Sequence, residues 1–244
     1  MTAGMLTLAD LSVIIPVAPG DESWIGLVPE LRCLPLGTEI LFVSPEMPEN
    51  APNILAKGLA GRCKVRWITA GQGRAIQLNA GAAQAKNPYL WFLHADSRIP
   101  DDALQALENS LLADPEALHY FELGFLADGP RWMRLNELGT WIRSRFLGIP
   151  FGDQAFCLSS SQFQRLSGFD ENASYGEDHL LVWKARQARV KLRSTGTKIL
   201  TSARKYQDRG WWTTTRTHLS LTAKQAWPEA VKLARARFGT RSSQ

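Results

Sequence analysis

The stretch LSVIIPV, residues 11–17, decides the fold class of this chain. It is short, rich in β-branched residues and continuously apolar, which is typical of a strand buried on both faces of a parallel sheet. Three further stretches repeat the pattern: residues 39–43 (EILFV), 64–69 (KVRWIT) and 89–94 (YLWFLH). Helix-compatible stretches separate them, at residues 22–34, 50–61 and 74–86. We therefore predict an α/β fold with a mixed, mostly parallel central sheet flanked by helices.

The second half of the chain has a different pattern. Residues 117–126 predict a longer strand and residues 190–200 a hairpin. Residues 131–146 predict an amphipathic helix with its apolar residues, among them Trp132, Leu135, Leu138 and Trp141, on one side. Most of the nine Trp residues occupy core-like positions. We expect one domain over residues 1–212 and a basic helical extension over residues 213–244.

The charges are unevenly distributed along the chain. Residues 1–183 carry 13 Lys and Arg against 21 Asp and Glu, whereas residues 184–244 carry 15 against two. A basic final quarter on an acidic body indicates an anionic ligand, a nucleic acid or a membrane face as partner. The composition, 45% hydrophobic and 21% charged, excludes the disordered, collagen-like and coiled-coil classes.

Cysteine usage and hydropathy bear on location. Cys33, Cys63 and Cys157 are odd in number and lack CxxC spacing, which excludes a disulfide framework and a zinc finger. Residues 1–9 lack the charged and apolar regions of a signal peptide, and no stretch approaches the ~20 apolar residues of a membrane span. We expect a cytoplasmic protein whose only membrane contact would be peripheral, at the inner face.

Two acidic motifs stand where catalytic groups are expected. His94-Ala95-Asp96 directly follows the fourth strand, at the edge where parallel α/β sheets bind ligands. The Asp96 carboxylate could reach a ligand-bound Mg²⁺ or Mn²⁺, or could cap the helix that follows. Glu177 and Asp178 open a helix, whose dipole alone favours acids there. Alternatively, one of them is a general base that takes a proton from a hydroxyl.

Three further segments leave both a structural and a functional interpretation open. Residues 152–154 (GDQ) fit a turn or a site loop. Residues 71–74 (GQGR) precede a helix and could receive phosphates. Because Ile76 replaces the third Gly of a dinucleotide fingerprint and no P-loop sequence occurs, Rossmann dehydrogenases and P-loop kinases are excluded. Residues 202–206 (SARKY) and 209–212 (RGWW) combine cations with aromatics. They could cover a pyrophosphate, stack on a base, lie on a membrane or form a solvated basic loop.

Together these segments resemble the inverting glycosyltransferase family 2, which has the GT-A fold. Residues 12–17 are similar to that family's first strand, residues 73–100 to its helix–strand–DxD region, and residues 150–187 to its acceptor half. The segments GR-x-x-Q-x-N-x-GA, LHAD, PxGDQ, ED and TSAR occur in this order. That order resembles a soluble glycosyltransferase-like subgroup associated with radical-SAM/selenodomain genes. The resemblance covers roughly residues 11–212.

The resemblance implies roles for the matching residues. Asp96 matches the metal ligand of the DxD motif, for Mn²⁺ or Mg²⁺, and Asp178 matches the catalytic base. Glu177 and Asp153 join Asp178 as catalytic carboxylates, and Gly152 and Gln154 would bind the acceptor. The positions assigned to the donor nucleotide are Pro16, Ser44, Arg74, Asn79, His94, Arg204 and Lys205.

The implied function is inverting transfer of a sugar from a nucleotide-sugar donor to a hydroxyl acceptor. On the donor side the sequence departs from the family's pattern, because Ser44 stands where an Asp contacts the nucleotide base and residues 18–20 replace a polar turn. A non-catalytic GT-A-like protein that binds a nucleotide or a partner is therefore the alternative. We expect no nucleic-acid partner, since the body carries no such motif, and a peripheral membrane contact through residues 213–239.

Overall fold

The computed structural model describes residues 7–204, 206 and 210–239. In this part of the chain, seven strands form one sheet in the order β3-β2-β1-β4-β6-β5-β7. The strands are β1 (Leu11–Pro16), β2 (Glu39–Ser44), β3 (Lys64–Thr69), β4 (Tyr89–Phe92), β5 (Leu118–Phe125), β6 (Cys157–Ser159) and β7 (Leu192–Thr201). The α-helices are α1 (Ser23–Leu27), α2 (Ala51–Leu59), α3 (Arg74–Gln84), α4 (Ala103–Ala113), α5 (Met133–Phe146), α6 (Ser160–Arg165), α7 (Glu177–Gln187) and α8 (Trp211–Gly239).

The N-terminal half confirms the predicted parallel sheet. Strand β1 pairs in parallel with β2 and β4, and β2 pairs in parallel with β3. Alternate residues of β1 enter different cores: Val13 and Ile15 pack on one side of the sheet and Ile14 on the other. Both faces of β1, β2 and β4 are thus covered, which explains their continuously apolar sequences.

The second half of the sheet is mixed. Strand β6 runs antiparallel to both β4 and β5, whereas β7 runs parallel to β5. The hairpin predicted for residues 190–200 is wrong, because this segment is the single strand β7. Gly196, at φ +84°, lies where the β5–β7 register shifts, so the chain bulges there and does not reverse.

Two other expectations also need correction. The helix predicted for residues 22–34 is divided into α1 and a 3₁₀ helix at Glu30–Cys33. Pro29 lies at the break, where it has no amide hydrogen to donate. The Trp residues are not mostly in the core: Trp24, Trp91 and Trp183 are buried, whereas Trp132, Trp212 and Trp227 are more than 60% exposed.

Helix α8 packs along α7. Leu233 and Ala226 of α8 pack with Trp183 of α7 and with Ile149. Gln187 donates to Glu229 at 2.8 Å, which joins the far end of α7 to the same helix. In the described ranges, no helix combines the length and the apolar character that crossing a bilayer requires.

A buried histidine in β5 predicts how stability responds to acid. His119 is fully buried, and burial, with a contribution from Arg193, lowers its pKa from 6.5 to about 4. The folded protein therefore keeps His119 neutral while the unfolded chain takes up a proton below pH 6.5. Between pH 6.5 and pH 4, the unfolding free energy of the wild-type protein should fall by roughly 3 kcal/mol more than that of His119→Gln, which has no imidazole to protonate. Urea denaturation over this range measures it, and equal slopes for both proteins would contradict it.

Candidate active site

The site lies where the carboxyl ends of the strands converge. Because β6 is antiparallel to β4, the loop before β6 meets the end of β4 at the same edge. Two cavities open there, of about 460 Å³ and 390 Å³, and Arg74, His94 and Asp96 line both. The larger cavity is also lined by Asp153, Asp178 and Arg204, and the smaller one by Pro16, Asp21 and Gln72. We label the larger one the acceptor cavity and the smaller one the donor cavity, after the roles that the sequence resemblance implies for their residues.

An ion-pair cluster joins α3 to α7 between these cavities. Arg74, the first residue of α3, donates from Nε to Glu177 Oε1, and its Nη2 lies 3.8 Å from Asp178 Oδ1. Both acids begin α7, where the helix dipole also favours them. Burial alone would lower the pKa of Arg74, but Asp178 and Glu177 outweigh burial and raise it. The guanidinium is thus held as a fixed cation beside the acids.

Asp178 is a buried carboxylate that stays ionised. Its Oδ2 accepts from the amide of Gly152, and its Oδ1 accepts from the amide of His179 at 2.9 Å. Burial raises the pKa of Asp178, but Arg74 and these two amides outweigh burial and lower it. The close approach requires a glycine, since a Cβ on Gly152 would lie 2.8 Å from Asp178 Oδ2. The loop before β6 and the start of α7 are therefore fitted to each other.

The side chains of His94, Asp96 and Asp153 also line the acceptor cavity. Burial first, and Arg74 second, lower the pKa of His94 despite the acids around it, so its imidazole is neutral at pH 7. Oδ1 of Asp153 is buried without a hydrogen-bond partner.

The described residues contain no cluster of three His, Cys, Asp or Glu able to hold a metal ion. Any bound cation would need oxygen ligands from a substrate in addition to Asp96.

Three residues assigned from the sequence lie elsewhere, with their polar groups bonded inside the protein. Ser44 is buried, donates to the carbonyl of Glu46 and accepts from Trp67 Nε1 at 2.7 Å. Asn79 holds α3 to the loop after α6, exchanging two 3.0 Å hydrogen bonds with the backbone of Phe169. Neither residue lines the two cavities.

Gln154 is the third of these residues. It is 1% exposed, and its side-chain amide connects the loop before β6 to β5 and α5. Its Nε2 donates to the carbonyl of Phe121 in β5 at 2.8 Å. Its Oε1 accepts from Ser144 of α5 at 2.9 Å and from the amide of Phe151 at 3.0 Å. Gln154 thereby fixes the loop that carries Asp153, and its amide is not directed at a ligand.

Arg204 spans the two cavities on the side of β7. It lines the acceptor cavity and donates from Nη2 to Ser23 Oγ at 3.4 Å, a residue of the donor cavity. Its Nε donates to Ser202 Oγ at 3.0 Å, which holds the side chain over the opening. Lys205, assigned to the donor together with Arg204, lies outside the described residues.

The sequence patterns missed the part of α8 that closes the acceptor cavity. Gln225 lines this cavity, donates to the carbonyl of Tyr175 at 3.0 Å and accepts from His179 Nδ1 at 2.8 Å. His179 Nε2 accepts from Trp183 Nε1 at 2.8 Å, which fixes the neutral tautomer. Burial lowers the pKa of His179 in agreement with this tautomer. Tyr175 directly precedes the GED motif, a position that a sequence reading could have included.

Comparison with solved structures identifies the fold. The mannosyltransferase PcManGT from Pyrobaculum calidifontis, solved with GDP-Man and Mn²⁺, superposes with a TM-score of 0.63 at 16% identity, covering 93% of this chain and 68% of that one. S. aureus TarS gives a TM-score of 0.59 at 15% identity and covers 79% of this chain. TarS 1–349 in complex with UDP-GlcNAc gives 0.57 at 16% identity, again over 79% of this chain.

This chain spans only 36% of the chain in the TarS structure and 58% of the chain in the TarS 1–349 structure. A search of curated protein sequences gave no match. The strand order, the cavities at the carboxyl edge and these superpositions define a GT-A fold. The family model "Glycosyl transferase family 2" matches residues 31–167, more than half of the sequence. The chain therefore belongs to glycosyltransferase family 2.

Proposed function

We propose that this protein transfers a sugar, with inversion, from a nucleotide-sugar donor to a hydroxyl acceptor, with Asp178 as the general base. The observation that carries the proposal is the meeting of an ionised, buried Asp178 with Arg74 and Asp96 around one cavity. Family membership and the nucleotide-sugar complexes of TarS and PcManGT support the choice of donor class.

The chemistry follows from the positions of these groups. The acceptor oxygen forms a bond to the anomeric carbon as the bond to the diphosphate breaks and the electron pair leaves with the diphosphate. The acceptor proton passes to Asp178, which its surroundings keep ionised. Arg74 and Arg204 border the cavities and would stabilise the diphosphate charge.

The residues present fit a divalent cation bound together with substrate. Within the described ranges, the Asp96 carboxylate takes part in no hydrogen bond or ion pair, and Asp153 Oδ1 is likewise unpartnered. Mg²⁺ and Mn²⁺ commonly bind through one or two carboxylates plus phosphate oxygens, which matches this sparse set. Asp96 would hold the ion, and the ion would supply charge neutralisation to the leaving diphosphate.

The donor nucleotide is proposed to occupy the donor cavity without help from Ser44. The Ser44 hydroxyl is engaged with Glu46 and Trp67, whereas Asp21 and Gln72 line the cavity. Asp21 also accepts from the amide of Ser23 at 2.8 Å, which holds its carboxylate in place at the start of α1. We therefore assign base recognition to Asp21.

The burial of Ser44 and its hydrogen bond with Trp67 also favour a second candidate function, that of a non-catalytic nucleotide-binding protein. Donor turnover separates the two candidates. The finer parts of the assignment, namely the radical-SAM/selenodomain subgroup, the cytoplasmic location and the membrane contact of residues 213–239, stay predictions.

Donor hydrolysis tests the catalytic role of Asp178 and Asp96. We expect wild-type protein with Mn²⁺ to release nucleoside diphosphate from UDP-GlcNAc or GDP-mannose. Asp178→Asn should lower kcat by about 10²–10⁴-fold because the proton acceptor is lost. Asp96→Ala should abolish metal-dependent turnover, because the carboxylate proposed to hold the ion is lost. The control is Asp101→Asn, an exposed carboxylate outside the site, with chromatographic detection of the nucleotide. Equal turnover by wild type and both site variants would contradict the proposal.

Donor affinity tests the assignment of Asp21. Asp21→Asn keeps an acceptor for the Ser23 amide but removes the charge, so we expect the donor Kd to rise roughly 10- to 100-fold. Ser44→Ala should leave the donor Kd unchanged. Isothermal titration with the nucleoside diphosphate and Mn²⁺ measures both constants. A larger loss in Ser44→Ala than in Asp21→Asn would show that the nucleotide binds at the end of β2.

A further inference from the structure

Helix α5 turns its apolar side away from the core. Its buried residues are Met133, Thr140 and Ser144, two of which are polar. The four apolar residues that the sequence predicts on one side are exposed, at 61% for Trp132, 52% for Leu135, 53% for Leu138 and 39% for Trp141. Ile142, at 44%, and Phe146, at 69%, are exposed as well. An exposed apolar patch of this extent marks a binding surface, since single exposed residues need no explanation but contiguous ones do.

The patch continues onto the start of α8. The Trp132 ring lies 6.3 Å from that of Trp211, which lies 4.8 Å from that of Trp212. Asn136 of α5 joins the two helices by accepting from Trp211 Nε1 at 2.7 Å. Trp212 is 78% exposed. We give the name outer face to the exposed residues Trp132, Leu135, Leu138, Trp141, Ile142, Phe146 and Trp212.

Most charges around the outer face are cations, although the acid Glu122 lines a groove there together with Leu138 and Trp141. Arg131, Arg134 and Arg145 are exposed on or beside α5, as are Arg216 and Lys224 on α8, and none forms an ion pair within the described residues. The acids of these two helices are neutralised: Glu137 pairs with Lys198 at 2.8 Å, and Glu229 pairs with Lys232. The surface therefore presents apolar side chains bordered by positive charge.

We propose that the outer face docks this protein on an anionic lipid bilayer. A helix that lies in the bilayer interface has apolar residues and Trp on one side, with Arg or Lys beside them to contact anionic headgroups. A symmetric contact between two copies would bring together more cations than acids, which repel each other. A nucleic acid would leave the Leu, Ile and Phe side chains without a partner.

The proposal changes the place of the membrane contact expected from the sequence. That contact was assigned to residues 213–239, whereas the outer face is formed mainly by α5 and Trp212. Phe125 lines the acceptor cavity and also lines a groove together with Leu138 and Trp141, so the outer face borders the candidate active site. Docking does not depend on sugar transfer, so the two proposals can fail separately.

Vesicle co-sedimentation of the full chain tests the docking. We expect binding to vesicles of phosphatidylcholine with 25% phosphatidylglycerol, at least tenfold weaker binding to pure phosphatidylcholine, and weakening by 0.5 M salt. The double variant Leu135→Glu/Leu138→Glu should bind the anionic vesicles at least tenfold more weakly. Its matched control is Leu36→Glu/Leu112→Glu, which adds the same charge at residues 69% and 53% exposed elsewhere, and should bind like wild type.

A second pair of variants tests the cations. Arg131→Gln/Arg134→Gln should weaken binding to anionic vesicles. The control Lys57→Gln/Lys64→Gln removes two exposed cations near β3, at the opposite edge of the sheet, and should not weaken binding. Thermal denaturation verifies that each variant is folded, which we expect because all these positions are exposed. Absence of wild-type binding, or equal binding by the Leu135/Leu138 variant, would overturn the proposal. Self-association that only this variant abolishes, without vesicle binding, would also overturn it and make the outer face a dimer interface.

Discussion

The ion-pair cluster of Arg74 with Glu177 and Asp178 is the contact on which the rest of the site depends. It connects the first residue of α3, on the donor side, to the first turn of α7, on the acceptor side. Breaking it would leave buried acids without their counter-charge, which is far more costly than losing an exposed ion pair. The same cation lowers the pKa of Asp178, so one contact fixes both the geometry and the protonation state of the proposed base.

Other hydrogen bonds hold the neighbouring loops and helices in place around this cluster. Gln154 ties the loop before β6 to β5 and α5, and the amide of Gly152 from that loop holds Asp178. On the other side, His179 and Gln225 tie α7 to α8, which forms a wall of the acceptor cavity. Side chains in the GDQ and GED motifs thus mostly position the site, and Asp153 and Asp178 are the members left facing the cavity.

Some features of this structure could be predicted from local sequence patterns, whereas those that depend on contacts between distant segments could not. Strands β1, β2 and β4 could be predicted because burial on both faces demands continuous apolar residues. The direction in which α5 faces could not, since a helical period indicates that one side is apolar but not where that side points. Ser44 was assigned to the donor by its place in the chain, yet its partner Trp67 comes from the neighbouring strand. Gln225 has no local signal, because its role arises only where α8 packs along α7.

The central claim is that a nucleotide and a divalent cation bind together at the edge formed by Asp96 and Arg74. A thermal-shift panel of nucleoside diphosphates and nucleotide sugars, with and without Mn²⁺, tests it directly, because a ligand of the native state raises the melting temperature. The account predicts a rise in Tm that requires both nucleotide and Mn²⁺ and that disappears in Asp96→Asn. The absence of any rise with UDP- or GDP-linked donors, or an equal rise in Asp96→Asn, would contradict it.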